Sequence, residues 1–113
     1  MTKGKVIRSG KDEYVILGDA GAGFVYVCPV TNDSNNHRAK YFLSLCAASA
    51  SGINPLHSVF CSPEKIRYPR SAKVIGYVPE DAFNEICALA HCEIMSQRLE
   101  ETPRIRPQRI YSW

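Results

Sequence analysis

Between Lys5 and Tyr77 no apolar segment runs far before turn chemistry interrupts it, and this spacing limits the chain to short strands. Strands are predicted near Lys5–Arg8, Glu13–Leu17, Phe24–Val30, Tyr41–Leu45, Ser58–Cys61 and Ala72–Tyr77. Their connections carry the residues that make turns: "SGKD", "GDAGAG", "TNDSNN", "SGINP" and "YPRS". Such a pattern indicates a small antiparallel barrel or sandwich. "DAGAG" reads as the hairpin loop between the second and third strands, because it lacks the spacing and the following helix of a phosphate-cradling loop.

One helix follows the strands, over about 79–99. Pro79 suits a first helical position, Glu80 and Asp81 favour the positive end of the helix dipole, and Phe83, Ile86, Cys87, Ala90 and Ile94 recur on one face. That face is expected to lie on the sheet. His91 and Cys92 are adjacent and so point to different sides of the helix, which argues for packing rather than shared metal ligation. Pro103 and Pro107 are expected to stop the helix. The chain then divides into a single domain, 1–101, and a basic, Pro-containing tail, 102–113. For this tail, ending in Tyr111 and Trp113, two readings stand: simple disorder, or docking on a partner through its aromatic end.

At 113 residues the chain can bury roughly two-thirds of its unfolded surface around one core. No run approaches the roughly 20 apolar residues a membrane span needs, and no apolar segment follows the basic N-terminus as a secretory signal would require. The five cysteines are odd in number and lack a CxxC pair, which argues against a disulfide framework or zinc ribbon and for a reducing cytoplasm. Cys28, Cys46 and Cys61 sit in apolar runs as small buried hydrophobes.

The net charge of +3 belongs to the tail, where Arg104, Arg106 and Arg109 meet no acid; the remainder balances eleven basic against eleven acidic residues. Local surpluses occur in "PEKIRYPRSAK" and around Lys3, Lys5, Arg8 and Lys11 and suit a polyanion partner. The run "FVYVCPVTNDSNN" raises a sharper point. An apolar strand stops at Pro29 and hands the chain to six polar residues, either as an ordinary turn or as a loop carried into a binding groove.

From Phe24 to about residue 95 the succession of segments resembles the MazF, PemK and Kid family of toxins, small ribonucleases of type II toxin-antitoxin systems. The resemblance rests on "VYVCPVTND", "YFLSL", "SGINPLHS", "VFCSPEKIR" and "VIGYVPEDAFNEICALA" in the family's order. It implies an SH3-like barrel with a C-terminal helix, a fold shared with the CcdB gyrase poisons. It also implies a homodimer with single-stranded RNA in grooves near the dimer interface, and a cognate antitoxin on the same surface. No cofactor or metal is implied. In such enzymes the 2′-hydroxyl attacks the adjacent phosphorus, leaving a cyclic phosphate and a free 5′-hydroxyl, so the site needs a base, an acid and donors for the phosphorane charge.

Carried over residue by residue, Thr31 falls on the family's Thr and Asn32 on its Ser. Lys65 falls on an Arg, with Arg67 close by, and Tyr68 falls where Kid-like members have an Asp. The family's "GxRP" arginine is replaced by Asp12, with Lys11 beside it. The resemblance therefore makes Thr31, Lys65, Arg67 and Tyr68 the catalytic candidates, and Asn32, Lys11, His37, Arg38, His57 and Arg70 the RNA-binding ones. His37 and His57 are also candidate acids or bases. A Lys lacks the bidentate geometry of guanidinium, and a phenol is a poor base at neutral pH. Glu64 is expected in a surface ion pair with Lys65. The departures leave a second reading, a non-catalytic member of the fold that binds nucleic acid or poisons a protein such as gyrase. In the leading reading the turns after Pro29 and after Cys61 converge on one phosphodiester cradle.

Overall fold

The computed structural model describes residues 3–32 and 40–105, with side chains through residue 96. Among the described residues, seven strands and two helices follow in the order β1 (Lys5–Ser9), β2 (Asp12–Gly21), β3 (Phe24–Thr31), β4 (Lys40–Tyr41), α1 (Leu45–Ser51), β5 (Ser58–Phe60), β6 (Glu64–Arg67), β7 (Lys73–Tyr77) and α2 (Glu80–Ile105). All pairings are antiparallel, in the order β4-β5-β3-β2-β1-β7, with β6 also on β3. The sheet is curved and barrel-like but not closed, and the mainly β architecture with a C-terminal helix is the expected one.

Where the chain departs from the predicted elements, local chemistry explains it. β2 continues to Gly21 through two register shifts, after Ile16 and after Asp19, so the "GDAGAG" loop shrinks to Ala22 and Gly23. Both take positive φ, 55° and 82°, as a two-residue type I′ hairpin turn demands. The predicted strand Tyr41–Leu45 ends at Tyr41, and "LCAASAS" forms α1 instead. Ser44 caps it by accepting the Ala47 N–H, and Gly52 ends it at φ 78° with its N–H donated to the Ala48 carbonyl. Cys46 on this helix is exposed, not buried as expected. β6 is a separate strand because Pro63 interrupts the chain: residues 60–63 stand opposite 28–29, and pairing to β3 resumes at Glu64 opposite Val27.

Two apolar clusters lie on opposite faces of the sheet. Val6, Val15, Cys28, Val59 and Cys61 pack beneath the helices with Ala47, Ala48, Ala82, Ile86 and Ala90. Ile7, Ile16, Val25 and Val27 form the second cluster, with Tyr14, Ile66, Tyr68 and Ala72 against it. Cys28 and Cys61 are both fully buried and share a hydrogen bond, which together with burial pushes the Cys28 thiol up. Ala82, Ile86 and Ala90 form the centre of the α2 seam, whereas Ile94, predicted on that seam, is 38 % exposed, and His91 and Cys92 are exposed rather than packed. Tyr41 reaches α2 through a hydrogen bond with Glu85, which pushes its phenol up to about 12. α2 runs past Pro103 to Ile105, so this proline does not stop it. A missing N–H in the final turn removes one hydrogen bond and leaves the preceding turns intact. Among the described residues no helix is long and apolar enough to cross a membrane.

α1 follows β4 at one end of the main strand path and packs on β7 at the other. The contact is backbone on backbone: a Cβ at Gly76 would lie 2.4 Å from the Ser51 carbonyl, and one at Gly52 2.6 Å from the Ile75 carbonyl oxygen. Gly76→Ala is expected to cost about 3 kcal/mol, since neither backbone can yield. Gly18→Ala, with nothing within 4 Å, should change stability by less than about 1 kcal/mol. Urea unfolding midpoints of the two variants measure the difference.

Candidate functional site

The β1–β2 hairpin turns on Gly10 and Lys11. Gly10 takes φ 63° at the first loop position, where a type II′ turn calls for glycine. The turn sets Ser9 opposite Asp12 and Arg8 opposite Glu13. Arg8 then donates from Nη2 and Nε to Glu13 Oε2, at 2.8 and 3.0 Å. The guanidinium is half exposed while the carboxylate side chain is 16 % exposed, so Arg8 holds Glu13 into the wall of the molecule.

The pairing of Tyr14 with Pro29 sets the hairpin tip beside the end of β3. Lys11, Asp12 and Glu13 thereby meet Val30, Thr31 and Asn32, and His57 completes a polar cleft of about 270 Å³. His57 is placed by two neighbours: Ser58 pairs with Thr31, and Asn54 accepts the His57 N–H on its carbonyl and the Leu56 N–H on Oδ1, both at 2.9 Å. A second groove, about 560 Å³, continues from Glu13 and His57 to Arg8, Ser49, Gly52 and Asn54 at the C-terminal end of α1. A carboxylate held by a cation, the second carboxylate of Asp12 and an imidazole thus line the same depression as a hydroxyl, an amide and an ammonium. That set can move protons at one point and receive an anion beside it.

The structure brings together four of the sequence-predicted residues, Lys11, Thr31, Asn32 and His57. It does not bring Lys65, Arg67 and Tyr68 to them. Lys65 stands opposite Tyr26 and Arg67 opposite Phe24, so Thr31 lies five positions further along β3 than Tyr26, roughly 17 Å away. Alternation along the strand also sends Thr31 to the other face of the sheet from Tyr26. Lys65 Nζ and Arg67 Cζ lie over the Phe24 ring, 5.4 and 4.8 Å from its centroid. Tyr68 packs on the Val25–Val27 cluster and donates its backbone N–H to the Gly23 carbonyl. The two expected turns therefore do not converge, because β6 runs away from Thr31 as it pairs with β3.

Arg70 is exposed, in the turn that follows β6. The next residue, Ser71, shares a 2.9 Å hydroxyl hydrogen bond with Ser9, which sets that turn alongside the β1–β2 hairpin. His37 and Arg38 lie outside the described residues. Sequence reasoning missed Arg8 and Glu13 as site residues. Their signal was equal spacing about "SGKD": a two-residue turn at Gly10 and Lys11 makes them cross-strand partners.

No protein-family model matches the chain, and no curated protein matches it. Its fold is similar to a crystal structure of MazE-MazF from Deinococcus radiodurans (Form-III), with a TM-score of 0.67, 15 % identity, and coverage of 83 % of this chain and 95 % of that one. It is likewise similar to MazF (Form-I) from Deinococcus radiodurans, with a TM-score of 0.64, 14 % identity, and coverage of 83 % and 96 %. The chain has a MazF-like fold.

The ion pair at the cleft wall is accessible to a double-mutant cycle. Arg8→Ala and Glu13→Ala are expected to show a coupling of about 0.5–1 kcal/mol in urea unfolding, in keeping with a half-exposed pair, and the coupling should shrink as salt is raised.

Proposed function

We propose that the chain is a toxin-like, metal-independent endoribonuclease acting on single-stranded RNA, paired with an antitoxin. The observation that carries this reading is the cleft that unites Glu13, His57, Thr31, Asn32 and Lys11 on a MazF-like fold. Its chemistry matches the needs of 2′-hydroxyl attack. Glu13 and His57 share the proton work, one taking the 2′ proton and the other giving a proton to the departing 5′ oxygen, while Lys11, Thr31 and Asn32 hold the phosphate. Arg8 positions the Glu13 carboxylate. The MazE-MazF neighbours support an antitoxin as partner, and a homodimer in the cytoplasm completes the proposal.

A second reading, a non-catalytic binder on the same fold, draws on Tyr68, which lies packed away from Thr31. One assay separates the two. A long single-stranded RNA incubated with the purified chain, with and without chelator, is expected to yield 2′,3′-cyclic phosphate and 5′-hydroxyl ends in both tubes. His57→Ala should lower the rate by about 10²-fold or more, as the loss of a positioned acid or base does. Intact RNA in both tubes rejects the nuclease.

A further inference from the structure

β6 carries a second cationic surface, remote from the cleft. Lys65 and Arg67 are exposed and lie over the Phe24 ring, which holds their charges in place before any ligand arrives. Alternation along β6 sends Glu64 and Ile66 to the opposite face. Ile66 packs into the second cluster, and the Glu64 charge helps burial and Asp12 push up the Tyr14 phenol there. The expected Glu64–Lys65 pairing on one surface therefore does not form, and the two cations share a face without that acid.

Beside them stands Tyr26, opposite Lys65 and 45 % exposed. It forms the lip of an apolar groove of about 440 Å³ between the sheet and α2, with Leu17, Pro63, Cys87 and His91 among its walls. An exposed aromatic ring beside two fixed cations is the combination that binds an unpaired nucleotide: the ring accepts the π-face of a base, and the cations accept the phosphates.

We propose that Lys65, Arg67, Phe24 and Tyr26 form a contact surface for single-stranded RNA outside the cleft, gripping a flanking segment of the strand. The proposal rests on the nuclease reading for the identity of the strand. It differs from an edge-guarding role, in which charges on β6 merely discourage pairing with another sheet.

The test is fluorescence anisotropy of the full chain with a labelled polyuridine strand bearing 2′-O-methyl riboses, which cannot be cut, titrated at several salt concentrations. Lys65→Gln with Arg67→Gln removes both charges that lie over Phe24 and leaves polar side chains on that face. This variant is expected to weaken binding about tenfold and to reduce the slope of log affinity against log salt by about 1.4, as two lost phosphate contacts require. Tyr26→Ala should weaken binding about tenfold with the slope unchanged. Wild-type affinity and slope in the Gln variant overturn the proposal, as does wild-type RNA affinity combined with loss of binding to a polyglutamate peptide, which assigns the surface to a protein partner. If the chain cuts no RNA but the slope falls as stated, the surface stands and the nuclease reading falls. If it cuts RNA and the slope is unmoved, the reverse holds.

Discussion

The backbone of Gly76 rests directly on that of Ser51, and the position of α1 follows from this contact. A sheet that is not closed leaves strands paired on one side only, and among the described residues β4 and β7 are the ends of the main path, with β6 a further edge beside β3. α1 grows from the chain at the β4 end and reaches the β7 end only because two glycines, Gly52 and Gly76, remove the side chains that would hold it off. Ala47 and Ala48 can then join the main cluster with Val6, Val15 and Val59. The same helix supplies Ser49 and its cap Gly52 to the groove that continues from Glu13 and His57. Packing at the sheet's open side and the shape of the candidate site are thus one structural problem.

Much of this architecture was legible because strand chemistry is local. The segments starting at Lys5, Phe24 and Ser58 stand where alternation and turn residues put them, and α2 begins one residue after Pro79, with the Phe83 N–H donated to the Pro79 carbonyl. α1 was misread although its signals were present: Ser44 as cap, an Ala-rich interior and Gly52 as stop. The apolar "YFLSL" ahead of it resembles a strand, and only packing against β7 shows which tendency prevails. β6 was missed for a different reason. Pro63 marks a break, but where pairing resumes is set by register against β3, which a single sequence does not display.

Part of the candidate site was legible. Thr31, Asn32, Lys11 and His57 meet because hairpin geometry joins them, whereas Lys65 and Arg67 are near Thr31 in no sense that the register allows. In the sequence, the basic segment after Cys61 reads as one patch. It is two, since β6 keeps Lys65 and Arg67 beside Phe24 and the following turn carries Arg70 toward Ser9. Cleft and β6 surface differ in kind as well: the first gathers proton-transfer groups, and the second pairs fixed cations with exposed aromatic area.

The central claim is that the polar cleft between the β1–β2 hairpin and the end of β3 receives the RNA phosphate to be attacked. Backbone amide shifts recorded while an uncleavable single-stranded RNA is added to the isotope-labelled chain address it most directly. The account predicts the earliest and largest changes at Lys11, Thr31, Asn32 and His57. A saturating titration that leaves those four amides unmoved would contradict it.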